Sequence, residues 1–173
     1  MMTIETERLI LRPITLSDLD TTHEYAGDAR HAKYMLFLPN DTIQATEQFL
    51  QNAVSEWQKA APQFYEFAIT LAGKHIGAVS IYREPDSEVC ELGWIINKKY
   101  QGNGYVTEAA KAAMNFSVNM LKASKIVAHC DHRNAASYRV MQKIGLTLES
   151  DSGTRRYKGT DEDVQEFMCS IVV

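Results

Sequence analysis

The residues best suited to chemistry surround a glycine-rich loop, Gln101–Thr107, with the sequence QGNGYVT. A strand-like run precedes this loop, and an amphipathic helical pattern follows it. The first N–H groups of a helix are unpaired and lie at the positive end of the helix dipole, so they attract phosphate. Gly102 and Gly104 allow the backbone to turn tightly and to approach a bulky anion. The loop therefore predicts a phosphate-binding site.

Three kinds of phosphate-binding loop compete for this position. A Rossmann fingerprint, GxGxxG, needs a third glycine where this chain has Thr107, and no parallel βαβ pattern precedes the loop. A Walker loop, GxxxxGK[ST], needs a lysine that does not follow here. The remaining pattern, [QR]xxGx[GA], fits at Gln101 and Gly104. An ordinary strand-to-helix turn without a ligand is the structural alternative.

Three blocks of the sequence, in this order and spacing, resemble the GNAT superfamily of N-acetyltransferases. The blocks are Glu5–Leu19 (ETERLILRPITLSDL), Glu91–Lys111 (ELGWIINKKYQGNGYVTEAAK) and Asp131–Leu146 (DHRNAASYRVMQKIGL). The likeness extends over Glu5–Val172 and points to the RimJ/RimL-like branch, which includes ribosomal-protein N-terminal acetyltransferases. It implies an acetyl-CoA-dependent N-acetyltransferase that transfers an acetyl group directly to a primary amine, either a protein N-terminus or a small amine.

The resemblance also implies which residues hold acetyl-CoA as the co-substrate. The pantetheine arm would pair with the backbone near Ile95, Ile96 and Asn97. The pyrophosphate would rest on the amides of Gln101, Gly102, Asn103, Gly104, Tyr105, Val106 and Thr107. Asn134 would contact the coenzyme; its residue type and position also favour a role as the N-cap of the helix that follows, and the two roles are compatible. Val106 departs from the family pattern, which has Ala or Gly there, and we expect its side chain to point into the core.

Acetyl transfer to an amine requires loss of an ammonium proton, polarisation of the thioester and departure of the thiolate. Glu91, on the strand expected beside the thioester, is the candidate general base, directly or through water. The N–H of Ile96 is the expected donor to the thioester oxygen. The resemblance places Ser137 near the sulfur as the candidate general acid, because Met141 stands where many superfamily members have a tyrosine. The alternatives are a solvated Glu91 and a surface Ser137.

Two further questions stay open at this level. Val106 and Met141 leave room for an acyl-CoA-binding regulatory module without efficient turnover, whereas Glu91 and Ser137 favour the enzyme.

The acceptor is also undetermined, although this fold implies that its cleft wall is formed by Tyr34, Met35, Phe37 and Leu38. An acceptor pocket could also be lined by Trp57, Phe64 and Tyr65, although core packing is the favoured interpretation for them. A final hairpin loop is expected to carry Arg155, Arg156 and Tyr157, which could contact either the acceptor or water.

Hydrophobic periodicity predicts the elements that position these residues. Helices are expected at Leu19–Ala26, Ile43–Lys59, Thr107–Lys122 and Ala135–Ile144. Strands are expected at Arg8–Ile14 (an edge strand), Glu66–Leu71, His75–Tyr82, Val89–Asn97, Lys125–Cys130, Leu146–Ser150 and Gln165–Val172. This order predicts an α/β fold of the α+β type, with a mixed, mostly antiparallel central sheet of six to seven strands flanked by helices. The resemblance adds a splayed strand pair at the coenzyme site.

Composition narrows the class of protein. The 173 residues suit a single domain, 1–173, and the apolar content of 45% is ordinary for a globular protein. A net charge of −4 argues against a nucleic-acid surface and suits a cationic acceptor. No run approaches the roughly 18 apolar residues of a membrane span, and the charged N-terminus differs from a signal peptide.

The cysteines and histidines indicate no metal site. Cys90, Cys130 and Cys169 lack CxxC spacing, so reduced thiols in a cytoplasmic protein are expected. His129 and Cys130 are adjacent on a strand and should face opposite sides of the sheet, which separates them as metal ligands. Both a monomer and a homodimer remain possible.

Overall fold

The computed structural model describes residues 2–173, in which eight strands form one open sheet in the order β1-β2-β3-β4-β5-β6-β8-β7. The strands are β1 (Ile4–Glu5), β2 (Leu9–Pro13), β3 (Phe64–Leu71), β4 (Lys74–Arg83), β5 (Val89–Ile96), β6 (Lys125–Asp131), β7 (Thr147–Arg156) and β8 (Asp163–Val172). The helices are α1 (Leu19–Ala26), α2 (Ile43–Trp57), α3 (Tyr105–Asn119) and α4 (Ala135–Lys143). The mixed, mostly antiparallel α/β class is confirmed.

The edge of the sheet differs from the sequence-based expectation. The two-residue strand β1 pairs with Leu11 and Ile10 of β2, which makes the count eight and leaves β2 as an inner strand. The prediction of an edge strand at Arg8–Ile14 is therefore wrong. The reason is that two residues are too short to show the alternation by which a strand is recognised.

Two apolar clusters lie on opposite faces of β3, because neighbouring side chains of a strand point to opposite sides. Phe67 belongs to the cluster under α3, where it meets Phe116 at 5.4 Å between ring centroids. Ala68 belongs to the cluster under α2. Along α3 the face against the sheet consists mainly of buried alanines, which allow a close approach of helix and sheet. Val106 packs against this core, as expected.

The sheet opens between β5 and β6. Within residues 2–173 these parallel strands are joined by three residue pairs, the last of which is Glu91 with Val127. Beyond this point β5 continues beside β4 as far as Ile96, whereas β6 continues beside β8 as far as Asp131. The two halves of the sheet therefore diverge after Glu91, and a gap opens between them.

The register of β5 on β4 shows which backbone groups face this gap. The N–H of Asn97 donates to the carbonyl oxygen of Ile76 at 2.9 Å. Antiparallel hydrogen bonds alternate along a strand, so Ile95, two residues earlier, also bonds to β4. The N–H and C=O groups of Trp94 and Ile96, which lie beyond the last β5–β6 pair, consequently point into the gap.

Candidate functional site

A cleft of about 1480 Å³ runs along the gap between β5 and β6. Its lining includes the glycine-rich loop before α3 and most of the segment 30–37. The start of α4 forms one side, through Asn134 and Ser137. The sheet itself contributes Glu91 and His129 to the lining. The cleft thus brings the two predicted catalytic residues and most of the predicted coenzyme loop to one surface.

The glycine-rich loop has the backbone geometry of an anion site. Gly102 and Gly104 have φ angles of +79° and +80°, in the left-handed region that favours glycine. Helix α3 begins directly after Gly104, and its first intrahelical hydrogen bond runs from the N–H of Glu108 to the carbonyl of Gly104 at 3.1 Å. The three preceding N–H groups of the helix point outward from its N-terminus. A Cβ at Gly102 would meet nothing within 4 Å, so this surface is open to a ligand.

Arg8 braces this loop from outside. Its Nη1 donates to the carbonyl oxygen of Asn103 at 3.0 Å, and its guanidinium lies 4.6 Å from the centroid of the Tyr105 ring. Its Nε donates to Glu108 Oε2 at 2.8 Å. Sequence reasoning missed this role, although Arg8 lies in the first block of the family resemblance. A contact across about one hundred residues leaves no periodic signal in a sequence.

Glu91 faces the cleft and contacts a histidine across the gap. Its Oε1 accepts a hydrogen bond from His129 Nδ1 at 3.0 Å. The hydrogen bond with Glu91 raises the pKa of His129 above its ordinary value, with burial acting in the opposite direction and the carboxylate charges of Glu91 and Glu166 adding to the rise. Cys130 points to the other face and is 2% exposed, which confirms the predicted opposition of His129 and Cys130. The functional position of His129 was not foreseen.

Asn134 and Ser137 are coupled at the start of α4. The Asn134 Oδ1 accepts a hydrogen bond from the N–H of Ser137 at 3.2 Å, so Asn134 is the helix cap that the sequence indicated. The Ser137 hydroxyl makes no hydrogen bond to any other residue between 2 and 173. Met141 is fully buried in the core, so nothing at its position reaches the cleft. The remaining hydroxyl on this side is that of Ser137.

Most of the residues that were predicted to form the wall of the acceptor cleft do line the cleft. Tyr34, Met35 and Phe37 line the cleft together with Leu36, and Phe37 is 80% exposed. Leu38 does not line the cleft in the described chain. Phe64, expected in the core, lies at the cleft and stacks on Tyr82 with ring centroids 4.8 Å apart. Trp57 and Tyr65 pack together as core residues, as expected.

Arg155 holds this wall against the sheet. It is a residue of β7, together with Arg156, so the expectation that both lie in a hairpin loop is wrong. The strand continues through a polar stretch that lacks an apolar alternation. Arg155 is 9% exposed, donates from Nε to Glu166 Oε2 at 2.7 Å, and donates from Nη1 to the Tyr34 carbonyl oxygen at 3.3 Å. Tyr157 follows the strand, and its hydroxyl donates to Asp131 Oδ2 at 2.5 Å.

Ile95, Ile96 and Asn97 take different positions relative to the gap. Ile95 and Ile96 line the cleft, and the backbone groups of Ile96 face into it. Both backbone groups of Asn97 are already engaged, since its N–H bonds to Ile76 and its carbonyl oxygen accepts from the N–H of Tyr100 at 2.9 Å. Its side-chain oxygen accepts from the N–H of Lys99 at 3.1 Å. The geometry therefore favours Ile96 over Asn97 for pairing with a ligand.

Residues 2–173 contain neither a metal-binding cluster nor a membrane-spanning helix. No group of three or more His, Cys, Asp or Glu side chains is arranged to hold a metal ion in this part of the chain. None of the helices described there combines the length and apolar character needed to cross a membrane.

In this site a diverging strand pair leads from the loop at the start of α3 to the Glu91 carboxylate and the Ser137 hydroxyl. Such an arrangement is typical of an acyl-transferring enzyme of mixed α/β fold. The family model described as the acetyltransferase (GNAT) domain matches residues 8–147. The chain therefore belongs to the GNAT acetyltransferase family.

Individual relatives agree with this assignment. The chain is 31% identical to the uncharacterized N-acetyltransferase YnaD of Bacillus subtilis (strain 168) over 150 residues, which cover 86% of this chain and 84% of that protein. Its fold is similar to that of RimL, a ribosomal L7/L12 alpha-N-protein acetyltransferase solved with coenzyme A (TM-score 0.87, 18% identity, 99% and 98% of the two chains). It is also similar to a spermidine N-acetyltransferase from Vibrio cholerae solved with CoA and spermine (TM-score 0.82, 18% identity, 96% of each chain).

Proposed function

We propose that this protein transfers the acetyl group of acetyl-CoA directly to a primary amine. The observation that carries the proposal is the continuity of the cleft. One open gap, which begins after the last β5–β6 pair, connects the anion loop at Gly102 and Gly104 with Glu91 and Ser137. A long co-substrate with phosphates at one end and a reactive thioester at the other matches such a cleft.

The residues of this chain fit coenzyme A at three points. The outward N–H groups of Tyr105, Val106 and Thr107 suit a pyrophosphate. The backbone groups of Trp94 and Ile96, which face the gap, suit the amides of a pantetheine arm. Arg139 and Lys143 of α4 also line the cleft and add positive charge for phosphate. When bound, acetyl-CoA supplies an activated acetyl thioester.

The roles of the side chains follow from their positions. The Glu91 carboxylate accepts the ammonium proton of the acceptor, directly or through an intermediary, because an amine attacks only in its neutral form. The N–H of Ile96 polarises the thioester carbonyl. Ser137 offers a hydroxyl group without another hydrogen-bond partner in the described chain to the departing sulfur, and Asn134 fixes the helix turn that carries it.

Direct transfer is favoured over a covalent acyl-enzyme on Cys130. Cys130 is among the residues that line the cleft, but its side chain points to the other face of the sheet and the residue is 2% exposed. Burial raises the pKa of Cys130 to about 11. A thiol that is protonated at neutral pH is a poor nucleophile. The acceptor amine itself is therefore the nucleophile.

The acceptor is a protein N-terminus or a small amine. The names of the two solved relatives span this range, because one is a ribosomal-protein acetyltransferase and the other a spermidine acetyltransferase. The open wall at Tyr34 and Phe37 admits an acceptor from the side opposite the anion loop. We place the reaction in the cytoplasm, where the reduced state of the three free cysteines is maintained.

The test measures free thiol released from acetyl-CoA with spermidine and with peptides that begin with Ser or Ala. Acceptor-dependent release in wild type, reduced at least about a hundredfold in Glu91→Gln, is the expected result. The alternative function is an acyl-CoA-binding regulatory module. Tight binding of coenzyme A by calorimetry without thiol release for any of these amines would support that alternative and overturn catalysis.

A further inference from the structure

The side chains of Glu91 and His129 meet across the gap at the point where the two halves of the sheet separate. Glu91 is the last residue of β5 paired with β6, and His129 lies two residues beyond its partner Val127. Residues two apart on a strand share a face, so both side chains project toward the acceptor side of the cleft. The Glu91 Oε1 to His129 Nδ1 distance is 3.0 Å.

This contact determines the state of the imidazole. A carboxylate only accepts hydrogen bonds, so the proton of neutral His129 lies on Nδ1 and the lone pair lies on Nε2. The Nε2 atom makes no hydrogen bond within residues 2–173, and the His129 side chain is 24% exposed at the cleft surface. An oriented imidazole with a free lone pair therefore faces the space in which the acceptor must approach the thioester.

The charged groups around the imidazole come from three strands. Glu91 approaches from β5, Glu166 from β8 and Arg155 from β7. The two carboxylates favour the imidazolium, whereas Arg155 opposes it and is itself paired with Glu166. On balance this environment raises the pKa of His129 above its ordinary value, chiefly through the hydrogen bond with Glu91.

We infer that His129 is the catalytic base that takes the proton from the acceptor ammonium, and that Glu91 is a positioning residue acting through it. The inference rests on the proposed acetyltransferase function and changes the role of Glu91 within it. Glu91 is 44% exposed in its side chain and already directs an oxygen to His129. The imidazole, in contrast, presents a vacant lone pair to the cleft.

The acceptor ammonium gives one proton to His129 Nε2, and the resulting imidazolium is stabilised by the Glu91 carboxylate. The neutral nitrogen forms a bond to the acetyl carbon, and the carbon–sulfur bond breaks with its electron pair remaining on sulfur. The new amide nitrogen loses a second proton to solvent, while the thiolate takes one from Ser137, which regains it from solvent. The imidazolium then releases its proton, so one proton is released overall.

The experiment compares pH profiles of kcat/KM for wild type, His129→Asn and Glu91→Gln. Asparagine keeps a donor near the Nδ1 position but has no base at Nε2. We expect His129→Asn to lower kcat by about a hundredfold or more and to abolish the acidic limb of the profile. Glutamine at position 91 still accepts from Nδ1 but lacks the charge, so the limb should persist and move to lower pH. His132→Asn, on the same segment, is the matched control and should leave the profile unchanged.

The opposite pattern would overturn the inference while leaving the proposed function intact. If Glu91 were the base, Glu91→Gln would abolish the acidic limb and His129→Asn would retain both the limb and most of kcat. A second measurement does not depend on the acceptor: NMR titration of the His129 ring. We expect a pKa above that of an ordinary histidine in wild type and a lower value in Glu91→Gln. A ring that titrates identically in both proteins would refute the pairing of Glu91 with His129. Absence of turnover in wild type with every amine tested would refute only the proposed function.

Discussion

Arg8 and Glu108, one hundred residues apart, are joined by two hydrogen bonds. The backbone N–H of Arg8 donates to Oε1 and its Nε donates to Oε2, both at 2.8 Å. Thr6 adds a third contact, because its hydroxyl donates to Oε1 at 2.6 Å. The start of β2 is thereby fixed to the first turn of α3, where an acidic side chain also complements the positive end of the helix. The loop that we assign to the pyrophosphate is held in place from a distant part of the chain.

Replacement of Arg8 by alanine should weaken coenzyme binding more than it weakens the fold. The ion pair is partly exposed, with 42% of the Arg8 side chain accessible, so its contribution to unfolding free energy should stay below about 1 kcal/mol. The Asn103 carbonyl loses its partner, and the loop should lose its fixed geometry. Calorimetry should show the Kd for coenzyme A rising several-fold. Arg156→Ala, which removes an exposed pair with Asp163, is the control, and an equal Kd in both variants would contradict the bracing role.

A methyl group at Gly104 should impair coenzyme binding through the loop conformation. Its φ of +80° strains any other residue, at a cost of roughly 1–2 kcal/mol. Relief of that strain would displace the N–H groups at the start of α3. We expect Gly104→Ala to raise the KM for acetyl-CoA at least about tenfold, which corresponds to about 1.4 kcal/mol. Gly159→Ala carries the same backbone strain, at φ +75°, in the turn between β7 and β8, and should leave that KM unchanged. Similar KM values for both variants would argue against the anion site.

Arg155→Lys should weaken binding of the acceptor amine and leave binding of the coenzyme unchanged. The guanidinium reaches Glu166 and the Tyr34 carbonyl at the same time, and a lysine ammonium cannot reproduce this planar arrangement. The wall at Tyr34 should loosen, and the KM for the active amine should rise several-fold with the KM for acetyl-CoA unchanged. Steady-state kinetics with each substrate varied in turn measures the KM for the amine and the KM for acetyl-CoA separately. Arg156→Lys, the next residue and exposed, is the matched control. A selective rise in the KM for acetyl-CoA would contradict the assignment of the wall.

Glu66 should make the stability of the protein fall as pH rises. Its side chain is buried and accepts a hydrogen bond from Ser80 Oγ. Burial raises the pKa of Glu66 from 4.5 to about 7, against the opposing effect of the Ser80 hydrogen bond. The unfolded chain therefore releases this proton at lower pH than the folded protein does. The destabilisation develops as the pH rises from the unfolded pKa of 4.5 to the folded pKa of about 7, and it is complete above about pH 7.

Urea unfolding of wild type and Glu66→Gln at pH 5 and pH 8 tests this behaviour. Glutamine cannot ionise, so the variant should gain about 2–3 kcal/mol relative to wild type between the two conditions. Any constant cost of the buried amide cancels in that comparison. Glu162→Gln, in the exposed turn before β8, should show no such gain. A difference between wild type and Glu66→Gln that is independent of pH would show that Glu66 does not carry the raised pKa.

Local signals accounted for the features that the sequence predicted well. Thr42 and Asn134 directly precede helices that the sequence predicts and are residue types that favour helix caps, and both accept a capping backbone hydrogen bond. The loop at Gly102 and Gly104 was recognised because paired glycines between a strand and a helix are typical of a tight turn that leaves N–H groups open to an anion. In each case the determining interaction lies within about four residues, which is the range over which a sequence pattern carries direct structural information.

Contacts that depend on how strands and helices pass one another were not predicted from the sequence. The contact of Glu91 with His129 depends on where β5 stops pairing with β6, and neither strand alone contains that information. The same holds for Arg155, whose strand has few apolar residues because it lies at the exposed edge of the sheet. Arg8 and Glu108 meet only because β2 passes beside the start of α3. Tertiary geometry, rather than local propensity, decides all three.

The gap between β5 and β6 also leaves backbone groups of β5 without a partner strand, and the acetyl-CoA that we propose would supply the missing hydrogen bonds. A ligand that pairs with Trp94 and Ile96 would act as a substitute strand, and because it would bind only the folded protein, it would stabilise that state by an amount that grows with its concentration relative to its Kd. The lifetime of this protein against unfolding and proteolysis would then follow the concentration of acetyl-CoA around it. Its abundance would report the supply of its own substrate without any separate regulator.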